Sequence, residues 1–177
     1  MKFTAFAPLL LFVNAASGQT PAASDPCLQF KWDVSKEAAL FRSSPTSLVT
    51  ARAAAEAATI SPETLYRVQL HPQEELKLVA PISKTMLDDG AFGGLIKIHL
   101  QQPGAYRISV DGGFWIDIAD GSAAIARSDF SGSQNCTTPR KVVLYELEGG
   151  KDLYVQLTGA SLPHALLTVV RVAPDMQ

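Results

Sequence analysis

Trp115 and Asp117 flank Ile116 in the segment Phe114–Ala119, on the parity opposite Phe114, Ile116 and Ile118. If those apolar side chains face a core, the indole and the carboxylate face outward. An outward Trp beside polar groups can stack on a sugar ring and bond its hydroxyls, because indole offers an apolar face and one donor. Tyr154 shares this outward parity in its own segment, as does Arg107 in a third. Trp115, Asp117, Tyr154 and Arg107 therefore form the candidate ligand-binding set. The competing reading packs Trp115 beneath the segment Thr46–Ala58 or a loop, since large apolar side chains are usually buried.

Asp111, Asp117, Asp120 and Asp129 gather around two glycine turns. Calcium takes six to eight oxygen ligands, which carboxylates and loop carbonyls can supply. These four are the weak calcium candidates, for there is no Asp-x-Asp-x-Asp-Gly loop and Asp beside Gly is also ordinary turn chemistry. No other cofactor is expected.

Catalytic patterns are absent from the sequence. His71-Pro72-Gln73-Glu74-Glu75 offers one His and two acids, but zinc needs a further protein ligand and no His-x-x-x-His or Cys-x-x-Cys exists. His99 sits in a strand pattern and His164 follows Pro163, neither with an evident partner. Asp129-Phe130-Ser131-Gly132-Ser133 falls short of a nucleophile elbow. The segment Gly90–Gly94 lacks the Gly-Lys-Ser/Thr end of a phosphate loop and leads into a strand. No catalytic residue is assigned; a small metal-dependent enzyme stays open as an alternative.

The elements that must position these residues are strands. Leu95–Leu100, Tyr106–Asp111, Phe114–Ala119, Lys141–Leu147, Leu153–Thr158 and Leu166–Val172 are separated by turn signals such as Asp111-Gly112-Gly113 and Glu148-Gly149-Gly150. Earlier, Leu65–His71 alternates Tyr66, Val68 and Leu70 with Arg67, Gln69 and His71, and Glu75–Ala80 sets Leu76 and Leu78 opposite Glu75 and Lys77 as a further strand. Val142–Leu147 is apolar on both parities, as a central strand should be. The last segment is read with Leu166, Thr168, Val170 and Val172 inward. The expected fold is mainly β: an antiparallel sandwich or jelly roll of about eight strands. One or two short N-terminal helices precede it. Asp33 can cap a helix over Val34–Phe41, whose Val34, Ala38 and Phe41 share a face. The alanine-rich Thr46–Ala58 is read as a second helix or a surface loop.

Met1–Gly18 has the make-up of a secretory signal peptide: Lys2, then the apolar Phe3–Val13, then small residues. That apolar run is shorter than the ~20 residues that span a bilayer, so no transmembrane segment is expected in the mature chain. Residues 19–26 read as a linker and 27–174 as one sandwich domain with an N-terminal helical cover over 33–60. Cys27 and Cys136, the two cysteines of this 177-residue chain, are expected to pair in an oxidising compartment. Two separate thiols or intermolecular pairing are the alternatives. The protein is thus expected in the periplasm or outside the cell. A net charge of −2 gives no electrostatic reason to expect nucleic acid or an acidic membrane surface.

The span Gly104–Val170 resembles the pre-peptidase C-terminal domain, a small sandwich found behind many secreted bacterial proteases. The likeness lies in Gly104-Ala105-Tyr106-Arg107-Ile108-Ser109-Val110, the Asp117 strand, Asp129 in a loop, Val143-x-Tyr145-x-Leu147-x-Gly149 and Leu153-Tyr154-Val155-x-Leu157. It implies an accessory role in secretion, stability or substrate binding, with calcium in some members. Cys27-x-x-Phe30-x-Trp32-Asp33-Val34-x-x-Glu37-x-x-x-Phe41 is similar to a set of short exported bacterial proteins, some labelled homogentisate dioxygenase. That label implies iron held by two His and a carboxylate. His71, His99 and His164 lie in separate segments without a His-x-Glu spacing. The expected function is a non-catalytic exported sandwich that binds a glycan, an envelope component or a protein partner. A structural subunit of an envelope assembly is the alternative beside the metal enzyme.

Overall fold

Every second side chain of the long strands enters one shared core, and this alternation builds two facing sheets. The structure, a computed structural model, describes residues 27, 29–82 and 90–173. The expected signal peptide (1–18), the linker (19–26) and the domain end at 174 lie outside the described residues. The strands are β1 (Thr46–Val49), β2 (Thr59–Ile60), β3 (Tyr66–Gln69), β4 (His71–Pro72), β5 (Phe92–His99) and β6 (Gly104–Val110). They continue as β7 (Trp115–Asp120), β8 (Ala123–Ile125), β9 (Asp129–Gly132), β10 (Lys141–Leu147), β11 (Asp152–Ala160) and β12 (His164–Arg171), preceded by α1 (Ser35–Phe41). The first sheet has the order β1-β3-β12-β6-β10-β9 and the second β2-β5-β11-β7-β8, with β4 also on β5. Pairing is antiparallel except for β1 on β3 and β2 on β5, so both sheets are mixed.

The core takes Tyr106, Ile108 and Val110 from β6 and Val143, Tyr145 and Leu147 from β10. From the other sheet it takes Ile96 and Ile98, Ile116 and Ile118, and Leu153, Val155 and Leu157. Each such side chain contributes about 1.5–3 kcal/mol on leaving water. The inward parity expected for β5, β6, β7 and β11 is the one observed. In β12 it is reversed: Ala165, Leu167 and Val169 enter the core, while Thr168 and Val170 are buried on the outer face, where α1 packs.

Helix α1 is present but starts at Ser35, with Val34 rather than Asp33 as its N-cap and no side-chain cap bond; Asp33 Oδ1 accepts from Ser35 N at 2.9 Å. The second helix is not. Thr46–Ala58 runs extended through β1 and a single 3₁₀ turn, Ala54–Glu56, because its backbone is claimed by strands. Thr50 N donates to Gln69 O, and Ala51 and Leu95 exchange both of their backbone bonds. Its alanines serve closeness rather than helix propensity, since Ala51 and Ala57 pack on Leu95 against the outer face of the second sheet. Gly94 permits the approach: a Cβ there would stand 2.0 Å from Thr50 Oγ1.

Glu75–Ala80 is not a strand either. A 3₁₀ turn occupies Gln73–Glu75, and a side chain then takes the place of a ladder partner. Gln156, fully buried on β11, accepts from Val79 N at 2.6 Å and Ala80 N at 3.0 Å and donates to Ala80 O at 3.0 Å. Gln156→Leu would strand three backbone groups, and we expect it to cost roughly 2–5 kcal/mol in urea denaturation. The amides of Val79 and Ala80 should lose hydrogen-exchange protection. A cost near zero would mean that water substitutes for the amide.

Candidate functional site

Strand β8 pairs with β7 only from Ile118 onward, which leaves the start of β7 an open edge. Carbonyls there need donors. Two come from β10 in the opposite sheet: Tyr145 Oη donates to Ile116 O at 2.8 Å and Lys141 Nζ to Phe114 O at 2.8 Å. Both side chains share the inward parity of β10 with Val143. The sandwich is thus closed at this corner by a phenol and an amine instead of apolar packing. Burial pushes the Tyr145 phenol above its ordinary range, with Asp117 adding to the shift.

Cations and rings meet at the same corner. Lys141 Nζ lies 4.5 Å from the Trp115 ring centroid, and Arg127 Cζ lies 5.5 Å from Trp115 and 5.2 Å from Phe130. All are within the range of cation–π attraction. Burial, then the neighbouring Arg127 charge, lowers the Lys141 amine to about 8, with Asp117 opposing. Phe130 is 49% exposed, unusual for a large apolar residue. Two small cavities adjoin here. One of about 30 Å³ is lined by Trp115, Arg127, Phe130 and Lys141. One of about 200 Å³ shares Phe130 and Lys141 and adds Ser133, Gln134 and Arg140.

In comparisons with known proteins, the chain matches no protein-family profile, no curated protein and no solved structure. What the corner does must therefore be argued from its own chemistry.

The expected ligand set is only partly brought together. Trp115 and Asp117 stand on the outer face of the second sheet, Trp115 half-buried and Asp117 buried opposite Gln156. The segment Thr46–Ala58 meets this face through Ala51 and Ala57 on Leu95, whereas the Trp115 ring has Arg127 and Lys141 against it. Tyr154 shares their face but pairs with Ala119 and packs toward Leu95. Arg107 does not join them. It lies on the outer face of the first sheet, 5% exposed, beneath the N-terminal segment. There it donates to Asp33 O at 2.7 Å, faces Glu37 Oε1 at 3.4 Å and stacks 5.1 Å from the Trp32 centroid. The Trp32-Asp33-Val34-x-x-Glu37 motif is a clamp on this one guanidinium. A disulfide joins Cys27 to Cys136 beside it.

The calcium candidates are dispersed into separate contacts. Asp111 accepts from Leu166 N, Asp120 pairs with Lys151, and Asp129 pairs with Lys31, which holds its carboxyl below the usual range. Among the described residues no three His, Cys, Asp or Glu side chains gather as a metal-holding group. His71 Nε2 donates to Thr50 O, His99 Nδ1 meets Asp152 Oδ1 at 2.8 Å, and His164 lines a separate cleft with Asp111. Arg127, Phe130, Arg140 and Lys141 were not among the expected residues. One signal was available: Lys141 stands in phase with Val143, Tyr145 and Leu147, a charge at an inward position.

Proposed function

We propose that the protein is an exported, non-catalytic β-sandwich that binds a glycan at the Trp115–Phe130 corner. The observation that carries this reading is the exposed Phe130 ring, set beside half-buried Trp115 with the Arg127 guanidinium between them. Rings supply apolar faces for sugar C–H groups, and guanidinium and ammonium groups supply donors for hydroxyls. Export is supported by the signal-like Met1–Gly18 and by the disulfide, a bond that persists in oxidising compartments. Among the described residues no helix is long and apolar enough to cross a membrane.

The test is binding to an array of bacterial and plant polysaccharides with Phe130→Ala, a substitution at an exposed ring. Binding should fall at least about tenfold, as for an aromatic anchor at an interface. Undiminished binding by that variant would remove the corner as the site.

A further inference from the structure

The two cavities at the corner carry an imbalance of charge. Arg127, Lys141 and Arg140 line them, and among the described residues no acidic side chain does. None of the ion pairs among the described residues uses any of these three cations. Elsewhere Lys31, Lys36, Arg52, Lys97 and Lys151 each face a carboxylate, while Arg42, Arg67, Lys77 and Arg171 stand apart from the ion pairs as these three do but line neither cavity. Asp129, in the adjoining strand, is engaged by Lys31. The concentration of positive charge also runs against a chain whose net charge is −2.

Asp117 is a neighbouring carboxylate that acts on Lys141, yet Arg127 and Lys141 still repel one another, and burial of the amine adds to the cost. An anion seated between them would relieve both costs. Its donors are in place: Lys141 spends one N–H on Phe114 O and keeps two. Arg127 lies against rings, which leaves the edge of its fork for a carboxylate or sulfate.

Resting on the glycan reading above, we infer that the corner selects an acidic saccharide, its sugar faces on Phe130 and Trp115 and its acid groups on Arg127, Lys141 and Arg140. A nucleic-acid strand also combines rings with anions, but it presents a phosphate at every nucleotide and is met by longer basic tracks. Three cations alternating with two rings fit a short oligosaccharide better.

Calorimetry on the disulfide-bonded chain tests this with four probes: galacturonate oligosaccharides, their neutral methyl esters, sulfated galactose oligosaccharides, and oligo-dT. The free acid or the sulfate should bind roughly tenfold more tightly than the ester, and which of them wins identifies the acid group. Arg127→Gln and Arg140→Gln should each remove about that factor for the acid and little for the ester. Added salt should weaken the acid complex alone. Lys77→Gln, an exposed cation away from the corner, should change nothing. If ester and acid bind alike and Phe130→Ala weakens both, the acidic selectivity is wrong while the glycan reading stands. If no saccharide binds, the glycan reading itself falls. Tighter binding of oligo-dT, insensitive to Phe130→Ala, would overturn the inference in favour of general polyanion capture.

Discussion

Arg107→Met is expected to destabilise the protein by about 3–5 kcal/mol, the cost of breaking a buried charge pair from one side. The reason is convergence. One guanidinium receives the Asp33 carbonyl at 2.7 Å, the Glu37 carboxylate at 3.4 Å and the Trp32 ring at 5.1 Å. Glu37 is fully buried, so losing Arg107 takes the charged partner from a carboxyl that then has its own backbone N–H against the cost of burial. The reciprocal change should behave differently. Burial pushes the Glu37 carboxyl above its ordinary range, and Arg107 only partly offsets this. Glu37→Gln, which removes the desolvated charge and keeps an amide oxygen facing Arg107, should therefore cost clearly less than Arg107→Met. The pH dependence follows from the same shift. A carboxyl whose folded pKa is raised binds its proton more readily in the folded state. Its share of stability is fully present at low pH and is lost as pH rises through the folded pKa. The deficit of Arg107→Met should accordingly be smaller at about pH 5 than at about pH 8. Urea denaturation at both pH values measures it. If Glu37→Gln cost as much as Arg107→Met, the clamp would depend on the ionised pair and this account would be wrong.

The clamp also shows where sequence reading stops. Period-2 alternation correctly placed Ile108, Ile116 and Val155 inward, because the faces of a strand are a local property. It also placed Arg107 and Trp115 outward on their own strands. It could not say that β6 and β7 belong to different sheets, so two outward residues on consecutive strands end on opposite sides of the molecule. Strand β12 failed for a related reason. Both its faces are covered, so Thr168 and Val170 are as buried as Leu167 and Val169, and the pattern has no phase. Thr46–Ala58 misled because alanine marks helix propensity and close packing alike. The corner was the least legible feature. It exists only where the edges of two sheets meet, and Lys141 announced it by standing in phase with core residues.

Removing the disulfide, with Cys27 and Cys136 both changed to serine, should cost about 2–5 kcal/mol. The bond closes a loop of sequence separation 109, which is long, and a long loop frees the most chain entropy in the unfolded state when it is opened. The loss should not add simply to that of Arg107→Met. Both devices hold the same N-terminal segment to the same sheet, so once one is gone the other has less to secure. In a double-mutant cycle the combined loss should fall short of the sum by more than the ~0.5 kcal/mol seen for independent sites. Strict additivity would mean that bond and clamp act separately. The same cycle reaches the proposed binding corner through Lys31. Its amide donates to Ser131 Oγ, its ammonium pairs with Asp129, and it lies 5.6 Å from the Phe130 ring. The disulfide thus tethers a segment that steadies β9 beside the exposed aromatic. On the proposed glycan reading, the serine variant, still folded at low temperature, should bind saccharide more weakly than the parent although no residue of the corner has been changed.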